Sequence, residues 1–176
     1  MSRGPLLSDE YAYLDIETTF RGAVTVVGVY REPGRLVQLV GEWITAQILE
    51  EVLGPVETVV TYNGNRFDLP VIKRRIGLDI RRRYRSRDLM YDCHRMGLFG
   101  GLKVVERTLG IDRETAGLTG KDAPVLWEQY KKRGDQKALA LLLRYNGEDV
   151  MNLAVLRRII DIDDVTRSIK GSVPSK

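Results

Sequence analysis

Tyr11-Ala12-Tyr13-Leu14-Asp15-Ile16 is a short run rich in residues that favour extended backbone, and two similar runs follow closely, at 24–30 and 35–40. Thr18-Thr19-Phe20-Arg21-Gly22 separates the first pair and Glu32-Pro33-Gly34 the second, and both stretches carry turn chemistry. Three consecutive antiparallel strands are predicted.

Outward from this meander, Thr45 is placed to cap a helix over 46–53, whose apolar residues Ile48, Leu49, Val52 and Leu53 share one face and which Gly54 closes. The β-branched run 57–62 predicts a buried strand, broken by Asn63-Gly64-Asn65. Pro70 then suits the first turn of a helix ending near Gly77. From Gly101 the period turns helical. Leu102, Val105 and Leu109 precede Gly110, Val125 and 127–130 precede Gly134, and 138–160 has apolar positions three and four apart. The order predicts an α/β fold with a mixed sheet, an antiparallel N-terminal meander and flanking helices. One domain is expected over 11–161, with short tails at 1–10 and 162–176, the stretch from 164 being polar.

A length of 176 residues suffices for a core without disulfides or structural metal. With 43% hydrophobic and 30% charged residues, the chain has the composition of a soluble protein, and no apolar run approaches the ~20 residues of a membrane helix. Residues 1–10 lack the features of a secretory or transit segment, so a cytoplasmic location and no membrane partner are expected. Cys93 and His94 are the only residues of their kinds, too few soft ligands for a zinc site, so any metal is expected to be held by oxygen. The net charge of +4 permits a polyanionic partner.

Asp15-Ile16-Glu17 lies at the predicted end of the first strand, where alternation sends both carboxylates to one face. A pair of that kind suits a hard cation such as Mg²⁺, and it equally fits two solvated acids at a strand end. Asp68, just ahead of Leu69-Pro70, fits an N-cap of the following helix. Tyr145 and Asp149, four apart in a helical segment, share one face, as any surface pair at that spacing does.

Taken together and in order, Asp15-Ile16-Glu17-Thr18-Thr19, then the stretch from Tyr62-Asn63-Gly64 through Asn65-Arg66-Phe67-Asp68 to Leu69-Pro70, and then Tyr145-Asn146-Gly147-Glu148-Asp149 resemble the three motifs of the DnaQ-like, or DEDD, exonuclease superfamily, over about residues 11–156. Tyr145 four places before the final aspartate, with Arg144 rather than histidine before it, resembles the tyrosine subgroup. Gly101-Leu102-Lys103-Val104-Val105-Glu106 with Leu109-Gly110-Ile111 resembles the YprB-type ribonuclease H-like proteins. Phe20 departs from the glycine that many relatives carry there, which bears on how a terminal nucleotide fits.

The resemblance implies a ribonuclease H-like three-layer fold and a 3′-to-5′ exonuclease acting on single-stranded nucleic acid, DNA favoured over RNA, alone or with a polymerase or repair partner. It implies two divalent ions, Mg²⁺ or Mn²⁺, held by Asp15, Glu17, Asp68 and Asp149, with Asp15 between them and Asp68 acting mostly through water. Tyrosine ordinarily titrates near 10, so Tyr145 is expected to orient the attacking water rather than deprotonate it. Thr18, Thr19, Asn63 and Phe67 are expected at the terminal nucleotide, Phe67 stacking on a base or packing in the core. Lys73, Arg74, Arg75, Arg81, Arg82, Arg83, Arg85 and Arg87 form a basic run read either as a phosphate-tracking surface or as a solvated face. Asp88 and Asp92 are candidates for support around the site, and His94 is given no role. A non-catalytic nucleic-acid-binding module and a ribonuclease H-like endonuclease are the competing readings.

Overall fold

The computed structural model describes residues 11–32 and 34–171; the expected tail at 1–10, and residues 172–176 of the tail expected at 162–176, lie outside the described residues. Three antiparallel strands come first, β1 (Tyr11–Thr18), β2 (Val24–Arg31) and β3 (Arg35–Val40), as the three runs predict. Helix α1 (Ala46–Leu53) follows, its first turn capped by the Thr45 hydroxyl, which accepts from Ile48 N–H at 3.2 Å. Strand β4 (Thr58–Thr61), helix α2 (Asp68–Ile76), strand β5 (Arg85–Asp88) and helices α3 (Leu89–Arg95), α4 (Leu102–Leu109), α5 (Asp122–Arg133) and α6 (Gln136–Gly171) complete the order.

The sheet runs β3-β2-β1-β4-β5, with β1, β4 and β5 parallel to one another. Alternation along β1 divides the molecule into layers. Ala12, Leu14 and Ile16 point into an apolar core with Leu49 and Leu53 of α1 and Leu69 and Ile72 of α2. Tyr13 points the other way, into a core with Leu89, Cys93, Val105, Val150 and Leu153 of α3, α4 and α6. Asp15 and Glu17 share the parity of Tyr13, so they emerge on the α6 side. This is the expected α/β three-layer fold, with helices on both faces of a mixed sheet.

Two elements depart from the sequence expectation. Strand β5 is Arg85-Ser86-Arg87-Asp88, with no apolar residue to signal it; it is held through backbone pairing with β4, and Arg87 is neutralised by Asp92 and Asp161 at 2.7 and 2.8 Å. Helix α6 does not stop at 160 but continues to Gly171, through the stretch read as the start of a polar tail. Between residue 160 and Gly171 there is no glycine or proline to end it. Among the described residues no helix is long and apolar enough to cross a membrane.

Candidate active site

Strand β1 outruns its parallel neighbour. Pairing with β4 covers Tyr11, Ala12 and Tyr13 only, and the strand then continues to Thr18 along β2. The chain leaves β4 through Asn63, which takes a left-handed backbone conformation (φ 60°), and Gly64, where a Cβ would stand 2.3 Å from Thr61 Oγ1. Asp88 at the end of β5 holds this turn by accepting from Asn63 N–H and Asn65 N–H at 2.7 and 3.1 Å. Asp88 thus bears on the site through the backbone of this turn, while Asp92 faces Arg87 and Arg95.

Asp68 is not the N-cap that its position suggests. Phe67 precedes the helix and Asp68 is its first residue; the carboxylate crosses to β1, where Oδ1 accepts from Ile16 N–H at 3.1 Å. That donor lies in the stretch of β1 beyond its pairing with β4, so the buried carboxylate serves an unpaired strand edge rather than a helix end.

Asp149 arrives from α6. Among the described residues Asp15, Glu17 and Asp149 form a metal-competent group, with one carboxylate oxygen from each within 4.8 Å of the others. Together with Ile16, Thr18, Tyr62, Asn63, Phe67, Asp68, Gly120 and Tyr145 they line an open cleft of about 280 Å³. The donor set is oxygen throughout, as hard divalent cations require. Its electrostatics point the same way. Burial first, then neighbouring carboxylates, push the Asp15 carboxyl well above the usual range. Glu17 is pushed up to about 8, by burial and then the charge on Asp149. Asp68 is pushed up to about 7, chiefly by burial, against the hydrogen bond from Ile16. Asp149 is raised by burial despite two cationic neighbours. A cluster of like charges held this close is stabilised by cations.

Two such cations belong to the chain, and neither is assigned a role on sequence grounds. Arg113, buried in the loop after α4, chelates Glu106 through Nη1 at 2.9 Å and stands 2.6 Å from Asp149 Oδ1 through Nη2, an ion pair rather than a linear hydrogen bond. Lys103 Nζ lies 3.6 Å from Asp149 Oδ2 and donates to the Tyr145 hydroxyl at 2.5 Å. The only signal was Lys103 within the quoted 101–106 stretch. A lone cation between apolar helix positions, or in a loop, has no local pattern.

The pentapeptide on α6 uses each side chain differently, as steps of 100° around a helix dictate. Tyr145 is buried against Lys103, whose ammonium also sits 4.2 Å over its ring. Burial and then the nearby carboxylates raise its phenol far above the usual value, so it stays protonated. Asn146 turns to Asp15. Gly147 faces Leu36 and Gln38 of β3, where a Cβ would meet Leu36 at 3.3 Å. Glu148 accepts from the backbone N–H groups of Glu114 and Thr115 at 2.7 and 3.1 Å and from the Thr115 hydroxyl, bracing the loop that carries Arg113. Asp149 enters the cleft.

The remaining expected residues separate. Thr18 and Asn63 line the cleft, and Phe67 lines it while 45% exposed, which excludes the core-packing alternative. Thr19 is spent on the β1–β2 turn, its hydroxyl accepting from Ala23 N–H at 3.1 Å. Phe20 on the same turn is 67% exposed. The basic run is spread over α2, a 3₁₀ turn and β5. Arg83 pairs with Glu50 at 2.7 Å, Arg82 with Asp79 at 3.6 Å, and Arg75 donates to the Arg21 carbonyl at 3.1 Å. Arg74 and Arg81 are exposed. Cys93 is buried, its thiol pushed up to about 11 by burial, and the His94 ring packs 5.2 Å from Phe99.

A family model of the RNase_H superfamily matches residues 12–160. Among solved structures the chain is similar to the family B DNA polymerase from the hyperthermophilic archaeon Pyrobaculum calidifontis, with a TM-score of 0.67 and 17% sequence identity. That match covers 90% of this chain and 25% of the polymerase, so the chain spans about a quarter of that protein's length. No curated protein matches it in sequence.

Proposed function

The chain belongs to the RNase_H superfamily, and from that premise we propose that it is a metal-dependent 3′-to-5′ exonuclease of the tyrosine DEDD subgroup, related to the YprB-type proteins. The observation that carries this reading is the convergence of Asp15, Glu17 and Asp149 on one point, with Asp68 and Tyr145 in the same cleft. Its substrate is single-stranded nucleic acid, with DNA preferred, a preference in keeping with a fold shared with part of a DNA polymerase. A polymerase or repair partner fits the same likeness.

Asp15, Glu17 and Asp149 would hold Mg²⁺ or Mn²⁺, with Asp68 contributing to a second ion. Bound divalent cations supply Lewis acidity at a phosphoryl group and make water a competent nucleophile near neutral pH. Asp68 has one oxygen committed to Ile16 N–H, which leaves the other for the cleft. Because Lys103 donates to the Tyr145 oxygen, the phenolic hydrogen is left to donate in its turn, to the attacking water or to a phosphate oxygen. A phenol held protonated cannot be the base, so its work is orientation. Phe67 and Asn63 at the wall offer a stacking face and an amide to the terminal nucleotide.

Incubating 5′-labelled single-stranded DNA and RNA with the protein and Mg²⁺ or Mn²⁺, beside Asp15→Ala and Asp149→Ala, tests this. A ladder shortening from the 3′ end and lost in both variants is expected. Internal cuts would make it an endonuclease, and binding without metal-dependent cleavage a non-catalytic module.

A further inference from the structure

Asp15 pairs across the sheet with Gly28 of β2, and the space that a side chain at Gly28 would fill holds the carboxamide of Asn146: a Cβ there would stand 2.3 Å from Asn146 Oδ1 and 3.0 Å from its Cγ. Asn146 is fully buried, and its Nδ2 donates both to Asp15 Oδ2 at 3.0 Å and to the Asp15 carbonyl at 3.3 Å. Its Oδ1 accepts from Gln38 Nε2 at 3.0 Å, and the same Nε2 donates to the Leu143 carbonyl at 2.7 Å.

The chemistry of this chain allows one direction only. A backbone carbonyl can only accept, so the group that Gln38 presents to Leu143 is its NH₂. That NH₂ must meet the oxygen of Asn146, and the NH₂ of Asn146 must therefore face Asp15. A carboxylate only accepts, so the relay ends on the group that it suits. The sense of both amides follows from the two fixed ends.

We propose that Asn146 is the positioning residue of Asp15, aimed by Gln38 through the gap left by Gly28, and that this relay sets the affinity of the cleft for divalent cations. It rests on the metal-site reading above. With Oδ2 fixed from behind by Asn146, Asp15 turns its other oxygen to the cleft without a rotamer search. Gln38 touches none of the four cleft carboxylates among its hydrogen bonds, so its influence passes through Asn146. Partners of this kind, one bond removed from a ligand, commonly change metal affinity by about 10- to 100-fold.

Mn²⁺ titration followed by the electron paramagnetic resonance signal of the free ion reads the effect without any turnover, on wild type, Asp15→Asn, Asn146→Ala, Gln38→Met and the double variant, with circular dichroism confirming the fold. Asn146→Ala is expected to weaken Mn²⁺ about 10- to 100-fold. Gln38→Met is expected to weaken it less, and to add nothing in the Asn146→Ala background. An Asn146→Ala affinity within about threefold of wild type, or a Gln38→Met effect undiminished in the double variant, overturns the proposal while leaving the metal site standing. Should Asn146→Ala fail to fold, Asn146→Ser and Gln38→Met carry the same comparison. Wild type binding no more Mn²⁺ than Asp15→Asn overturns the metal site and the relay together.

Discussion

Arg113 Nη2 stands 2.6 Å from Asp149 Oδ1, and the same guanidinium chelates Glu106, so one buried cation ties a cleft carboxylate to helix α4. Removing one partner of a buried pair strands the others without a counter-charge. Arg113→Ala is therefore expected to cost about 3–5 kcal/mol. Urea unfolding in the presence of EDTA measures it, and a loss under about 1 kcal/mol would mean that the pair is dispensable.

The cleft carboxylates dictate a pH dependence. Asp15, Glu17, Asp68 and Asp149 all titrate higher in the fold than in an unfolded chain, Asp68 at about 7 and Glu17 at about 8. Between the ordinary carboxylate range of about 4 and those values, the folded chain binds more protons than the unfolded one, so stability declines as pH rises. Melting temperature with EDTA is expected to fall from pH 5 to pH 8. Mg²⁺ or Mn²⁺ competes with those protons, so the stabilisation either gives should grow over the same interval. A metal-induced shift equal at both ends would contradict this.

Asp68→Asn isolates one part of that dependence. The amide oxygen still accepts from Ile16 N–H, but the charge is gone. The variant should match wild type at about pH 4 and below, and melt increasingly higher than wild type toward pH 8 without metal, while losing nuclease activity. An equal loss of stability at both pH values would show that the amide does not reproduce the bond to β1.

Tyr145→Phe removes a hydroxyl that accepts from Lys103 and leaves every carboxylate in place. Cleavage is expected to slow by about 10²-fold with Mn²⁺ affinity unchanged, as for a misplaced reactant. Single-turnover rates and a metal titration separate the two, and a parallel loss of metal binding would assign the phenol to the metal shell instead.

What was legible in the sequence follows from what repeats locally. The three strands of the meander announced themselves through apolar runs bounded by turns, and the helices through spacing and terminal glycines. Strand β5 did not, because Arg85-Ser86-Arg87-Asp88 is held by backbone pairing and ion pairs rather than by an apolar face. Asp15, Glu17, Asp68 and Asp149 were found through the order of motifs, yet the geometry of Asp68 was not. A residue before Leu-Pro looks like a cap, and only the neighbouring strand, 52 positions away, reveals the other donor. Lys103 reaches Tyr145 across 42 positions and Asn146 reaches Asp15 across 131, and Arg113 likewise meets Asp149 from another part of the chain, so no short window of sequence holds both partners.

Those separations have a consequence for when the cleft comes into being. Its carboxylates lie on β1, α2 and α6, and the bond between Asn146 and Asp15 spans 131 positions. Closing so large a loop is entropically costly and is repaid only when α6 docks on the sheet. A growing chain that has emerged as far as β5 already contains Asp15, Glu17 and Asp68 but no Asp149. The cleft therefore assembles among the last steps of folding, and a chain truncated before α6 carries the scaffold of the site without its centre.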